Sequence, residues 1–300
     1  MTLAEVVRAL GVEPDSIRRI QARANVHWRV RAGRDVYVLR RYVDTPGIAA
    51  SAAWEQALID DLAQLGWPVA RSVAPPREIA ARHWLLMTHV GGRKIALGGK
   101  VDRATYRRVG GLLARLHLDI ERLAPRPQRP GWGAFIDAHL PVSGGPARRD
   151  ALLARLERAR PDMAERFRSA LETLEARRLP QIFTGEPHHP VHGDFAPWNL
   201  LERGGALSGL LDFEIGHVDV LVADIALARR GYHDAVVEGY LEVRPLPDEQ
   251  LAALDGLWLA CLFYGLWSAI EGWERDGVDR PEQLDWNLEQ LGKTRPYRPA

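Results

Sequence analysis

The chain reads as an α+β protein of two lobes, a small antiparallel-sheet lobe over residues 1–90 and a larger, mainly helical lobe over residues 91–300. Three observations predict this. β-like runs cluster in the first ninety residues around a single long helical pattern. Helical periodicity dominates the remainder of the chain. Gly91-Gly92 stands where the pattern changes, and a glycine pair has the backbone freedom a hinge needs.

The elements follow in order. Thr2 and Glu5 have the spacing of a capping box and Gly11 supplies a stop, so a short helix opens the chain. Runs at 16–22, 26–31 and 36–42 form an antiparallel meander, the last two joined by a turn at Ala32-Gly33-Arg34. From 48 to 65 the residues Ala52, Leu58, Ile59, Leu62 and Leu65 line one helical face, with Gly66 as the stop. Two more β-like runs, 69–74 and 84–90, complete the sheet lobe. Beyond it the pattern predicts helices over 102–118, 147–177, 224–242 and 248–274. Between them 199–202, a Gly204-Gly205 turn and 207–213 read as a short hairpin.

Composition narrows the functional classes. A 300-residue chain that is 46% hydrophobic and 26% charged is globular, and its formal net charge of +1 gives no electrostatic reason to expect nucleic acid or an anionic membrane as partner. The apolar run 257–270 is shorter than the ~20 residues that span a bilayer. It reads as a buried helix whose Cys261, the single cysteine, is an inert thiol rather than a nucleophile. The first residues carry no basic leader, so a cytoplasmic protein is expected.

The chemistry concentrates at His192-Gly193-Asp194, Asn199 and Asp212-Phe213-Glu214. This is the spacing of a kinase centre, in which an Asp serves the acceptor hydroxyl while an Asn five residues on and a later Asp-Phe pair hold magnesium. Asp194 is therefore the candidate base, with His192 bracing its loop. Asn199 and Asp212 are the candidate metal ligands, and Glu214 adds a further carboxylate beside them. On the third strand, alternation puts Val38, Arg40 and Tyr42 on one face. The chain's lysines are Lys94, Lys100 and Lys293, so Arg40 takes the phosphate contact, with Glu55 on the next helix as its partner. The first strand turn reads Arg23-Ala24-Asn25, with no glycine to cradle a phosphate.

Two other readings compete. The glycine-poor turn favours a kinase-fold binding or structural protein that no longer turns over. The cluster His188, His189, His192, Asp194 and His217 would suit a metal-dependent hydrolase, although Pro190 opposes helical ligand spacing. Acceptor recognition is expected from the aromatic segment 258–286, where Trp267 and Glu271 stand one helical turn apart among Trp258, Tyr264, Trp273 and Trp286.

At these residues the chain resembles the aminoglycoside phosphotransferase and choline kinase-like family, the small-molecule branch of the protein kinase fold. The resemblance runs through Asn25, Val38-Leu39-Arg40, Glu55, residues 87–92, the Leu112 to His117 stretch, the catalytic segment and Asp224. It implies ATP or GTP as co-substrate, Mg²⁺, and transfer to a hydroxyl of a small molecule. It also implies adenine contacts from the hinge, which puts Val38, Asn25, Met87 and His89 on the nucleotide beside Arg40 and Glu55. Asp224 would act as a helix N-cap that anchors the catalytic loop.

Overall fold

The computed structural model describes residues 1–22, 25–45, 47–96, 101–137, 145–276 and 281–298. Internal packing divides the chain into two compact units. One comprises residues 1–99, 129–131 and 197–215, and the other 100–128, 132–196 and 216–300.

The first unit is a sheet flanked by two helices. Helix α1 (Leu3–Ala9) starts in a capping box, with the Glu5 amide donating to the Thr2 hydroxyl and the Thr2 amide to the Glu5 carboxylate. Strands β1 (Ser16–Ala22), β2 (Val26–Ala32), β3 (Asp35–Arg41), β4 (Arg77–Ile79) and β5 (Arg82–Thr88) form an antiparallel sheet in the order β1-β2-β3-β5-β4. Alternation sorts its side chains into two cores. Trp28, Val30, Leu39, Trp84 and Leu86 pack with Val6 and Val7 of α1 and with Leu10 at its C-cap. Leu85, Met87 and Tyr42 pack with Ala52 of helix α2 (Ile48–Gln64), and Val38 lies against that cluster.

Two local expectations change here. Residues 69–74 make only the isolated bridges of Val69 to Leu210 and Ser72 to Met87. Pro68, Pro75 and Pro76 flank the segment and deny it ladder donors at both ends. Strand β4 was not expected, because its two-residue turn is Ala80-Ala81. Both alanines take positive φ, 50° and 53°, without the Asn or Gly that signals such a turn.

The expected hairpin is Leu200–Arg203 with Ala206–Leu210. Gly204 and Gly205 supply its two positive φ angles, 59° and 80°. The short strand β6 (Arg93–Lys94) pairs with its first arm.

The second unit is mainly helical. Asp102 caps helix α3 (Arg103–Ile120) by accepting from the Thr105 amide at 2.7 Å. The helix expected over 147–177 is two, α4 (Gly145–Ala159) and α5 (Pro161–Glu175). Pro161 cannot donate into a continuing helix but suits the first position of a new one. A four-residue α6 (Leu179–Ile182) precedes a small antiparallel pair, His189–Val191 with His217–Asp219. The expected 224–242 helix also divides, into α7 (Leu221–Arg229) and α8 (Asp234–Leu241), where Arg230 and Gly231 take φ of 52° and 77°. Helices α9 (Asp248–Ala252), α10 (Leu254–Asp276) and α11 (Pro281–Leu291) follow. Trp267 of α10 is 1% exposed and meets Phe167 of α5 edge to face at 4.6 Å, so it is core rather than pocket wall. The side chains of Glu271 and Trp273 lie outside the described residues. Among the described residues no helix is long and apolar enough to cross a membrane.

Helices α3 and α8 approach until backbone touches backbone. A Cβ on Gly110 would strike the Val236 carbonyl oxygen, and one on Gly239 the Arg107 carbonyl oxygen. Neither obstacle is the end of a flexible side chain, so the crossing itself must open if a methyl is added. Gly110→Ala and Gly239→Ala are each expected to destabilise the fold by about 1–3 kcal/mol or more. Gly133→Ala, where a methyl meets open space, should stay within about 0.5 kcal/mol in the same denaturant melts.

Candidate active site

In the first unit the candidate residues meet around one carboxylate. Glu55, on α2, is 1% exposed, and Arg40, on β3, is 6% exposed. One Arg40 terminal nitrogen donates to Glu55 Oε1 at 2.5 Å and its Nε donates to His27 Nε2 at 2.9 Å. The other terminal nitrogen faces Glu214 at 3.7 Å. The pair is thus buried and connected rather than a surface ion pair. Burial works against the Arg40 charge, but the Glu55 carboxylate, with help from Tyr42 and Glu214, outweighs it and holds the guanidinium above its ordinary range. Burial and then the Arg40 charge push His27 down to about 4, so its ring is neutral near pH 7. Nε2 accepts from Arg40, which puts the ring proton on Nδ1.

A residue that the sequence did not single out completes this group. Arg129 is 3% exposed and reaches the second Glu55 oxygen at 3.1 Å. It also donates to Ser51 Oγ at 2.7 Å and to the carbonyls of Phe213 and Glu214 at 3.0 and 2.9 Å. It therefore ties α2 to the backbone that follows Asp212. Its neighbours in sequence are the prolines 125, 127 and 130, a composition that reads only as loop.

The same unit brings Asn199 and Asp212 to one end of the hairpin. Leu200 pairs with Leu210, and the Leu211 amide donates to the Asn199 carbonyl at 2.9 Å, one residue before Asp212. Asp212 then leaves the strand direction at φ 70°, a left-handed conformation that costs a non-glycine residue free energy and gathers at functional sites. A carboxylate and an amide oxygen donor suit a hard cation that keeps water or substrate oxygens as its other ligands. Among the described residues no three His, Cys, Asp or Glu form a cage that could hold a metal by themselves.

Of the remaining candidates in this unit, Val38 and Met87 are paired across β3 and β5, and both face the α2 side of the sheet. Asn25 accepts from the Val43 amide at 2.9 Å, so it fixes the exit of β3. His89 is exposed, with its amide bonded to the Val36 carbonyl. Residues 23–24 lie outside the described residues.

In the second unit the candidate loop hangs on a buried carboxylate. Asp224 accepts from the His192 amide at 2.8 Å and the Gly193 amide at 2.9 Å. His192 Nδ1 in turn accepts from the Asp194 amide at 3.1 Å. Asp224 sits inside the first turn of α7 and Val220 is the N-cap, so its anchoring runs through the loop amides and not through a cap. Behind it lies His117 of α3, whose Nε2 is 3.4 Å from Asp224 and whose Nδ1 is 2.9 Å from the Tyr240 hydroxyl of α8. Burial pushes His117 down, against the pull of Asp224. Burial alone would raise the Asp224 carboxyl, but its hydrogen bonds and the His117 and His192 rings outweigh that and lower it. The Asp194 carboxylate projects beyond this frame and is ion-paired with Arg230.

The histidine cluster does not assemble as the hydrolase reading requires. His217 is fully buried, 3.3 Å from Asp219, and stacked on Trp132. Asp219 also accepts from the Phe135 and Val220 amides, a structural role with no signal in the local sequence. Tyr264 also stacks on Trp132, at 4.9 Å. Burial raises the Cys261 thiol, as expected for an inert one.

The chain is 28% identical over 208 residues to homoserine kinase of Rhizobium johnstonii, spanning 63% of this chain and 61% of that one. It is 26% identical over 252 residues to homoserine kinase of Gluconobacter oxydans, spanning 77% and 74%. Its fold matches a microcompartment-associated aminopropanol kinase with a TM-score of 0.62 at 18% identity, covering 96% of this chain and 93% of the other. It matches aminoglycoside phosphotransferase APH(4)-Ia, in a complex with AMP-PNP and hygromycin B, with a TM-score of 0.69 at 13% identity, covering 97% and 96%. Both likenesses carry the fold, a small antiparallel-sheet unit and a larger helical one. The model of the phosphotransferase enzyme family matches residues 16–273, and the chain, which carries that family's fold, belongs to it.

Proposed function

We propose that this protein is a magnesium-dependent kinase that moves the γ-phosphoryl group of ATP or GTP to a hydroxyl of a small molecule. The acceptor class includes aminoglycoside-, choline-, homoserine- and sugar-like alcohols, of which the homoserine-like class is supported by the names of the curated relatives. The observation that supports the reading is the hairpin end at which the Leu211 amide meets the Asn199 carbonyl, one residue before Asp212, in a sequence whose motif spacing begins with Asp194.

The residues divide the work. Asp194, on a loop held by Asp224, accepts the proton of the acceptor hydroxyl as its oxygen bonds to the γ-phosphorus and the bond to the nucleoside diphosphate breaks. Asn199 and Asp212 hold Mg²⁺, with Glu214 as a further carboxylate beside them. Bound there, the ion neutralises charge on the phosphate oxygens. Arg40, fixed by Glu55 and His27, meets the phosphates, while Val38 and Met87 give the nucleotide base an apolar face and Asn25 and His89 border it. An ATP-using enzyme of this kind suits the cytoplasm.

Thermal-shift titration with ATP, GTP and ADP, each with and without Mg²⁺, tests the reading. Stabilisation should need Mg²⁺, vanish with EDTA and vanish in Asp212→Ala. No stabilisation at millimolar nucleotide would instead favour a binding protein without turnover. Asp194→Ala should abolish transfer and leave nucleotide stabilisation largely intact, and the reverse pattern in these two variants would overturn the role assignment.

Arg129→Ala leaves Glu55 with one cation and the Phe213 and Glu214 carbonyls without their donor. It should cost about 3–5 kcal/mol in urea melts and raise the nucleotide KM. A double-mutant cycle with Glu55→Gln should show strong coupling, and additive losses would mean that the shared carboxylate is not what joins them.

A further inference from the structure

Arg230 stands beside the candidate base in a way that bears on the acceptor, and the inference that follows rests on the reading of Asp194 as that base. Arg230 ends α7 at φ 52°, a left-handed conformation that a non-glycine residue adopts only at a cost. In this position one terminal nitrogen donates to the Leu227 carbonyl at 2.7 Å and the other is ion-paired with Asp194 Oδ1. Both side chains retain some exposure, 16% for Arg230 and 26% for Asp194, so a solute can reach the pair.

Among the described residues the carboxylates of the next element are already paired, Glu238 with Arg103 at 2.5 Å. Asp234, at the start of α8, is taken up by Arg229 and Arg295, each at 2.8 Å. His233 lies between Tyr106, stacked at 3.9 Å, and Tyr232 at 4.3 Å. Burial, then Arg230 and Arg229, push His233 down to about 4, so it presents a neutral ring. A polycationic acceptor would meet a carboxylate already neutralised by a guanidinium. An acceptor with a carboxylate would meet a planar cation whose present partner can be exchanged, since two carboxylates compete for the same donors.

We propose that Arg230 reads a carboxylate on the acceptor, so that the substrate is a small hydroxylated carboxylic acid. Taking that carboxylate draws the guanidinium from Asp194 and releases the base to accept the hydroxyl proton. The arginine is then a specificity residue, and it also couples acceptor binding to activation of the base.

The test uses matched ligands that differ by one carboxylate: L-homoserine against 3-aminopropan-1-ol, L-serine against ethanolamine, and 4-hydroxybutanoate against propan-1-ol. Affinities are measured by calorimetry with ADP and Mg²⁺, and kcat and KM with ATP, on wild type, Arg230→Gln and Arg230→Lys. In at least one pair the carboxylate member should bind on the order of 10- to 100-fold tighter to the wild type. Arg230→Gln should bring that ratio close to one through KM, and Arg230→Lys should restore part of it. Asp194→Asn, which removes the competing carboxylate and leaves Arg230 in place, should tighten the carboxylate ligand. The proposal is overturned if the ratio is unchanged in Arg230→Gln, if that variant slows both members of a pair equally, if Asp194→Asn weakens the acid, or if no carboxylate member binds at tens of millimolar. Failure of the kinase reading is seen separately, as loss of Mg²⁺-nucleotide stabilisation in the wild type.

Discussion

Glu55 is the point on which the first unit turns. A carboxylate taken almost wholly out of water is tolerable only when its charge is met from every side, and here two guanidinium groups meet it, Arg40 from the sheet and Arg129 from a loop. Each arginine makes further bonds, Arg40 to His27 and Arg129 to Ser51 and to the carbonyls after Asp212. A single buried charge thereby sets the relative position of a helix, a strand, a loop and the segment carrying a candidate metal ligand. Buried ion pairs contribute little net stability compared with apolar packing of the same volume. What this one supplies is geometry, because a misplacement of any partner leaves a charge unpaired.

The second unit repeats the device with a different chemistry. Asp224 is buried at 0% exposure and spends both oxygens on the backbone amides of His192 and Gly193. His117 and Tyr240 back it from two helices that glycines allow to touch. The candidate base sits on a loop fixed through its backbone, and its own side chain, partly exposed, is ion-paired with Arg230. In both units a buried carboxylate does the positioning and a more exposed one faces solvent, with Glu55 behind Glu214 and Asp224 behind Asp194.

Much of this was legible in the sequence, for reasons that can be named. The capping box at Thr2, the Gly204-Gly205 turn and the alternation of β3 are local, and local rules decide them. That Asn199 and Asp212 come to one end of a hairpin was legible because such a turn has a fixed geometry. The Arg160-Pro161 break was legible in principle, since proline at a helix start is a known signal, but periodicity on either side concealed it. Arg129, Asp219 and Arg230 were not legible. Their partners lie 74 to 85, 84 and 36 residues away, and nothing in the adjoining residues marks them. Asp224 was found as the anchor of the catalytic loop, but it was placed at the helix cap, because a first-turn acid is usually a cap and this one spends its oxygens on a distant loop instead.

The distance between Glu55 and Arg129 has a consequence for how the chain is made. At ribosomal rates, the 74 residues that separate them take about 4–15 s to appear, and the Phe213 and Glu214 carbonyls come later still. Until then the nascent sheet and α2 contain a carboxylate with one of its two cations missing, a poor candidate for burial. The emerging N-terminal segment must therefore keep Glu55 wet, and its helix loosely docked, while more than half of the protein is still being translated.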